Sequence, residues 1–266
     1  MVEWMKAGPS PRGSAAGGRF RFAFIGSVVW TIFFTILYSI FSPFQAGAES
    51  TNQTFPIPSG TPSGTVDVEV INQIGTIRVI SASVHTEKVV LNARQISGET
   101  RINTSQSPTG KVTIEVGGRG MVDIEVVVPA LARLDLLTYR GNIEVRNHGG
   151  QVRARVASDG DIFFSDLRST AVEGHCHYGN VYFSGPLLAQ GDYRLKSFTG
   201  RLDVSFPESA DFKLSAATHH GGLDLHDFPL RYDLEMRDIV EAVSGFGRSN
   251  VLLWTQEGSI RLHRQM

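Results

Sequence analysis

The sequence predicts an all-β protein: a β-solenoid or β-helix-like stack of turns about 20 residues long, preceded by an N-terminal hydrophobic helix. Three observations predict it. The first is a repeated phrase of Gly, any residue, an aliphatic or Phe, any residue, and a second aliphatic or Phe. It opens at Gly64, Gly75, Gly110, Gly120, Gly141, Gly160, Gly179, Gly200, Gly221 and Gly258. From Gly120 the steps are 21, 19, 19, 21, 21 and 37 residues, the last close to two turns with one anchor missing. Before it, Gly64 to Gly75 and Gly110 to Gly120 are steps of 11 and 10 residues, about half a turn. The second observation is strict alternation behind the anchors, as in Ile143/Val145, Ile162/Phe164, Val181/Phe183, Leu202/Val204 and Ile260/Leu262. A period of two places each pair on one face of a strand, aimed at a shared core. The third is that strong helix signals are missing from the body of the chain, where only Arg231 to Val243 suggests a short helical turn.

Taken in order, residues 1–48 read as a signal peptide or a membrane anchor. Lys6, Arg12, Arg19 and Arg21 precede an uncharged apolar run from Phe22 to Phe41, and Ala46-Gly47-Ala48 supplies a small-x-small site with cleavage expected after Ala48. The run is also long enough to span a bilayer if it is kept, with the N-terminus inside. Both alternatives export everything beyond residue 48 to the periplasm, cell surface or exterior, either free or tethered to the cytoplasmic membrane. Residues 49–63, with Pro56, Pro58, Pro62 and several Ser and Thr, read as an extended linker. Residues 64–266 form the repeat domain. Between its anchors lie second strands, Val152–Val156, Tyr193–Lys196, Phe212–Ser215 and Val251–Trp254. One turn cannot bury its own apolar face, so stacking must supply the core.

Composition removes several function classes. Twenty-five Lys and Arg against 26 Asp and Glu leave a net charge of −1, so no basic field points to nucleic acid. Cys176 is the single cysteine, which excludes an intramolecular disulfide and any multi-thiolate zinc site. Walker, dinucleotide-binding and Gly-x-Ser-x-Gly motifs do not occur, and no cofactor is expected.

Several phrases carry a resemblance. Val122-Asp-Ile-Glu-Val-Val-Val-Pro129, Tyr139-Arg-Gly-Asn-Ile-Glu-Val, Ser158-Asp-Gly-Asp-Ile, Ser205-Phe-Pro-Glu-Ser-Ala-Asp-Phe and Glu257-Gly-Ser-Ile-Arg-Leu occur in that order. They are similar to the successive phrases of the bacterial DUF4097 adhesin family, over roughly Gly64 to Leu262. The resemblance implies a β-helix-like domain on the cell surface or in the periplasm, with no catalytic residues to carry over. The chain departs from the family pattern at Tyr139-Arg140 and His219-His220, where Ser does not precede Gly.

The strongest binding candidates are outward aromatics. Phe163 and Tyr182 take the same outward position on successive turns, with Asn142, Asn180 and Asp161 alongside, and Tyr139 and Phe198 expected nearby at the corner. Such a strip suits an envelope polysaccharide or a surface protein. Self-association through exposed end turns is a further route. His175 and His177 flank Cys176, and His219 adjoins His220. His177 and His219 should lie two turns apart, roughly 9–10 Å, which is too far to share a metal, so no metal site is expected. The function expected is a non-enzymatic adhesin-like scaffold. The alternatives are a membrane-tethered sensor ectodomain and a carbohydrate-active β-helix enzyme using Asp161 or Asp203.

Overall fold

A computed structural model describes residues 44–45, 50–58, 66–82 and 88–265. The expected helix at Phe22–Phe41 and the cleavage site at Ala48 lie outside them. Among the described residues every regular element is a strand, and no helix is long and apolar enough to cross a membrane. The first strands are β1 (Phe44–Gln45), β2 (Thr51–Pro56), β3 (Asp67–Ile74), β4 (Ile77–Ser81), β5 (Lys88–Ser97), β6 (Thr100–Gln106), β7 (Val112–Gly118) and β8 (Met121–Val128). A regular alternation of long and short strands follows. It runs through β9 (Arg133–Arg140), β10 (Ile143–Arg146), β11 (Val152–Asp159), β12 (Ile162–Ser165), β13 (Ala171–Tyr178), β14 (Val181–Ser184), β15 (Asp192–Thr199) and β16 (Leu202–Phe206). The chain closes with β17 (Phe212–His220), β18 (Leu223–Asp224), β19 (Arg231–Glu235), β20 (Ile239–Ser244), β21 (Ser249–Glu257) and β22 (Ile260–Arg264).

These strands build two large mixed sheets. The twelve-stranded sheet runs β1-β6-β7-β3-β9-β11-β13-β15-β21-β17-β20-β19, and the ten-stranded sheet runs β2-β5-β8-β4-β10-β12-β14-β16-β22-β18. From β7/β8 to β17/β18 the two orders match pair for pair, and every neighbour in this stretch is parallel. Antiparallel partners flank it at both ends: β6 on β7, β5 on β8, and β20 on β17.

The spatial order departs from the chain order in two places. β3/β4 sits between β7/β8 and β9/β10, and β21/β22 is inserted between β15/β16 and β17/β18. The 37-residue step from Gly221 to Gly258 therefore hides no missing turn. It holds the hairpin β19–β20 and a return of the chain into the stack. Arg231 to Val243 is that hairpin rather than a helical turn, because Val240, Ala242 and Ser244 alternate into the core. Within the expected linker, Thr51–Pro56 is an edge strand paired antiparallel with β5, and its Pro56 closes the strand where a missing N–H costs least. Residues 59–65, Gly64 among them, lie outside the described residues. Gly110 serves the turn between β6 and β7 rather than a corner.

Gly120 packs instead on Ser97 O in the turn between β7 and β8, and Gly75, Gly141, Gly160, Gly179, Gly200, Gly221 and Gly258 share one column. A Cβ on Gly160 would collide with the carbonyl of Gly141, and one on Gly179 would collide with that of Gly160. The same holds for Gly141 against Gly75, Gly200 against Gly179, Gly258 against Gly200, and Gly221 against Gly258. Gly160 also adopts φ +142°, a conformation that L side chains rarely take. The repeat is thus a demand for close backbone approach at a corner as much as for turning.

Inward residues of both sheets form one core, whose filling changes along the stack. Val68, Val70, Val79, Leu134, Leu136 and Val145 fill the earlier turns. Phe164, Phe183, Tyr193, Phe206, Phe212 and Phe228 fill the later ones, linked edge to face at centroid separations of 5.3–6.4 Å. Gly174 sits inside β13 because a Cβ there would lie 2.8 Å from the Phe164 ring.

Candidate binding surfaces

The corner beside the glycine column is held from both sides. On its outer side, Asp161 N–H donates to Asn142 Oδ1 (2.9 Å), Asn180 N–H to Asp161 Oδ1 (2.7 Å) and Arg201 N–H to Asn180 Oδ1 (2.8 Å). Thr76 N–H repeats the pattern on Asp123 Oδ1 at 3.0 Å. Asn142, Asp161 and Asn180, three of the five candidate site residues, therefore pin one turn to the next. On the inner side, buried hydroxyls donate to the glycine carbonyls: Ser197 to Gly179 (2.7 Å), Thr218 to Gly258 (2.8 Å), Thr255 to Gly200 (3.0 Å) and Thr138 to Gly75 (3.3 Å). Sequence reading missed this ladder, although its signal was available as Ser or Thr three residues before an anchor glycine. Cys176 occupies the same column between Val156 and Ser197. Burial pushes its thiol up to about 12, so it remains a small protonated core group rather than a nucleophile.

Phe163 and Tyr182 meet as the sequence predicts. They are cross-strand partners on β12 and β14, their rings parallel within 1° and their centroids 4.9 Å apart. Both residues are only half-buried, so the pair keeps part of its surface in contact with solvent. Along the same outward column stand Arg78, Glu144, Phe163, Tyr182, Asp203, Arg261 and Asp224. Glu144 is held by Arg78 at 3.0 Å and Arg146 at 3.3 Å, so the aromatic pair interrupts a ladder of ion pairs.

Tyr139 and Phe198 do not join this strip. They belong to β9 and β15 of the other sheet, where Phe198 stacks on His177 at 5.1 Å with an interplanar angle of 11°. Inserting β21 between β15 and β17 also separates His177 from His219 by three strand spacings instead of two, about 14 Å. His219 packs edge to face on His220, with centroids 4.3 Å apart. Among the described residues no three His, Cys, Asp or Glu side chains converge as metal ligands.

Two further histidines were not singled out from sequence. His148 is fully buried between the sheets' connections; Nε2 donates to Ala132 O (2.7 Å) and Nδ1 accepts from Ser81 (2.6 Å). Desolvation lowers its pKa to about 4, so it is neutral at pH 7. His263 lies beside Ser205 in register, with Nδ1 3.4 Å from Asp203. This places a Ser, a His and an Asp on adjacent strands, but Ser205 Oγ donates to Phe183 O at 3.5 Å instead of to the imidazole. All three alternate with the buried Leu202, Val204 and Leu262, so they stand on the outward face of the ten-stranded sheet.

No protein-family model matches the chain, so the DUF4097 likeness rests on the motifs alone, and no curated protein matches it. Three solved structures align loosely. A "putative cell adhesion protein" from Clostridium sporogenes aligns over 82% of this chain and 100% of its own, at 10% identity and a TM-score of 0.47. A "putative adhesin" from Bacteroides fragilis covers 82% and 99%, at 8% identity and a TM-score of 0.28. Another from Parabacteroides distasonis covers 81% and 97%, at 8% identity and a TM-score of 0.23. Superpositions this loose assign neither family nor function to the chain.

Proposed function

We propose that the chain is a non-enzymatic, exported scaffold that acts as an adhesin. Its two sheets form a β-solenoid-like stack whose outward faces bind an envelope glycan or a surface protein. The observation that carries this reading is the parallel, half-buried Phe163–Tyr182 pair on the outer face of the ten-stranded sheet. A parallel pair is worth about 0.5–1.5 kcal/mol to its own ladder, yet its solvent-accessible part also offers apolar area for a sugar ring or an apolar side chain. The corners support the reading too, because the hydrogen bonds of Asn142, Asp161 and Asn180 fix the strands on which the rings stand. Positioning on strands, rather than loops, suits recognition by a preorganised surface.

The test is binding of full-length chain in mild detergent to a panel of neutral and acidic envelope polysaccharides. Wild type is compared with the Phe163→Ala/Tyr182→Ala double variant. Binding by wild type that drops at least tenfold in a variant of unchanged circular dichroism supports the reading. Absence of binding to every glycan in the panel removes the glycan form of it, leaving protein recognition to be sought.

A further inference from the structure

A second outward surface differs from the first in charge and shape. On the twelve-stranded sheet, β13, β15, β21 and β17 form a shallow groove of about 540 Å³ lined by His175, His177, Lys196, Phe198, Leu252 and Trp254, among others. Lys196 is the cross-strand partner of both His175 and Trp254, and Phe198 lies two residues along the same strand and hence on the same face. Phe198 is 39% exposed and braced by the His177 ring. No carboxylate lines the groove. The arginines nearest the groove on the same sheet are answered: Arg153 pairs with Glu173 (2.9 Å), Arg155 with Asp135 (3.1 Å) and Arg194 with Asp192 (2.7 Å). Glu173, two residues before His175, is thus already engaged. Glu241 faces Ser215 on β20, three strand spacings from Lys196, or about 14 Å. Lys196 has no salt-bridge partner among the described residues, and it stands between an imidazole and an indole.

The geometry points to a binding site for an anionic sugar, a hexuronate residue of an acidic polysaccharide, stacked on Trp254 and Phe198 with its carboxylate on Lys196. This inference rests on the adhesin reading and adds a ligand class on a face separate from Phe163 and Tyr182. Aromatic rings favour the C–H face of a pyranose, and an unpaired ammonium supplies the charge-assisted hydrogen bond that a neutral sugar would leave unused. Burial and Lys196 hold His175 below the ordinary imidazole range. It is therefore mainly neutral near pH 7 and can both donate to and accept from sugar hydroxyls. An acidic peptide could satisfy Lys196, but it would not use the two rings, so the sugar is the better match.

The experiment titrates full-length chain in mild detergent with oligogalacturonate and oligomannuronate. Controls are the methyl-esterified oligogalacturonate, which keeps the ring and removes the charge, and poly-glutamate. Wild type is expected to bind at least one uronate oligomer. The affinity should fall roughly tenfold or more on esterification and in Lys196→Gln and Trp254→Ala, as loss of a charged hydrogen bond or an aromatic contact implies. It should persist in Lys196→Arg and in Phe163→Ala/Tyr182→Ala. Lys196 is exposed, so Lys196→Gln tests the site even if Trp254→Ala perturbs the fold. Binding indifferent to Lys196→Gln or to esterification overturns the inference, as does equal binding of poly-glutamate. If neither uronate binds while another glycan binds through Phe163 and Tyr182, this inference fails and the adhesin reading stands. If no glycan binds at all, both lose their glycan.

Discussion

His148 shows how one side chain couples this fold to pH. Its Nε2 proton is committed to Ala132 O and its Nδ1 lone pair to Ser81 Oγ, so a second proton would break the Ser81 bond and charge a buried ring. The folded pKa is about 4 against an ordinary value of 6.5. Between these values the unfolded chain binds a proton that the folded chain does not, so stability rises with pH across that window. The contribution is complete above about pH 6.5 and is lost as the pH falls, the loss amounting to about 3 kcal/mol by pH 4. His175, also lowered by burial, acts in the same direction. Urea unfolding between pH 7.5 and 4.5 should therefore show a falling midpoint. His148→Gln should be less stable at pH 7.5 but have a visibly flatter slope. An unchanged slope in that variant would mean that the histidine is not buried neutral. Nothing in the sequence marks His148, because a single histidine between strands looks the same whether it is solvated or buried. Phe163 and Tyr182 were legible for the opposite reason: a strict period of two and a constant step place them in one column without knowledge of any partner.

At the scale of the corner, the glycine phrase was read correctly as punctuation but only in part as packing. Alternation revealed which residues turn inward, and the structure adds why Gly recurs: each Cα lies against the carbonyl of the preceding glycine in the column. The outward Asn and Asp next to the glycines looked like a ligand strip because polar residues at strand starts serve both purposes. Their side-chain oxygens are instead occupied by the next turn's N–H groups. Gly160 and Gly222 separate the two roles of glycine. At Gly160 a methyl group meets backbone in a left-handed conformation, and the strain of such a residue alone costs about 1–3 kcal/mol before the collision is counted. At Gly222 nothing lies within 4 Å of an added Cβ and φ is ordinary, so the change should be within about 0.5 kcal/mol of neutral. Denaturant titration of Gly160→Ala and Gly222→Ala should therefore give a large drop in midpoint for the first alone. Equal midpoints would mean that the column is looser than it stands here.

For the whole molecule, the sequence conveyed two strands per turn and a common core but not the order in which turns stack. Periodicity reports distance along the chain, and a turn that folds back between two earlier ones leaves the same glycine phrase as one added at the end. The charge-poor groove beside Lys196 was hidden for this reason: Trp254 becomes its neighbour only because β21 enters between β15 and β17. That insertion makes the C-terminal residues an internal layer rather than a dispensable cap. Removing 249–266 takes β21 and β22 out of the stack, so β17 and β18 lose their parallel partners and β15 and β16 each lose the hydrogen-bonded neighbour along one edge. Such a chain should aggregate or unfold well below the full-length midpoint. Excising 207–248 should do far less harm, since β21 and β22 pair directly with β15 and β16. The splice would join Phe206 to Ser249 through a copy of residues 185–191, the connection that already links β14 to β15. Phe206 would lose its contacts with Phe212 and Phe228 and the stack its last rung, β17/β18, which costs stability but leaves the parallel ladder continuous through β21 and β22. Size-exclusion chromatography with thermal melts should show a monomeric, cooperatively unfolding spliced chain beside a truncated one that is neither. The reverse outcome would mean that the chain stacks its last turns in sequence order.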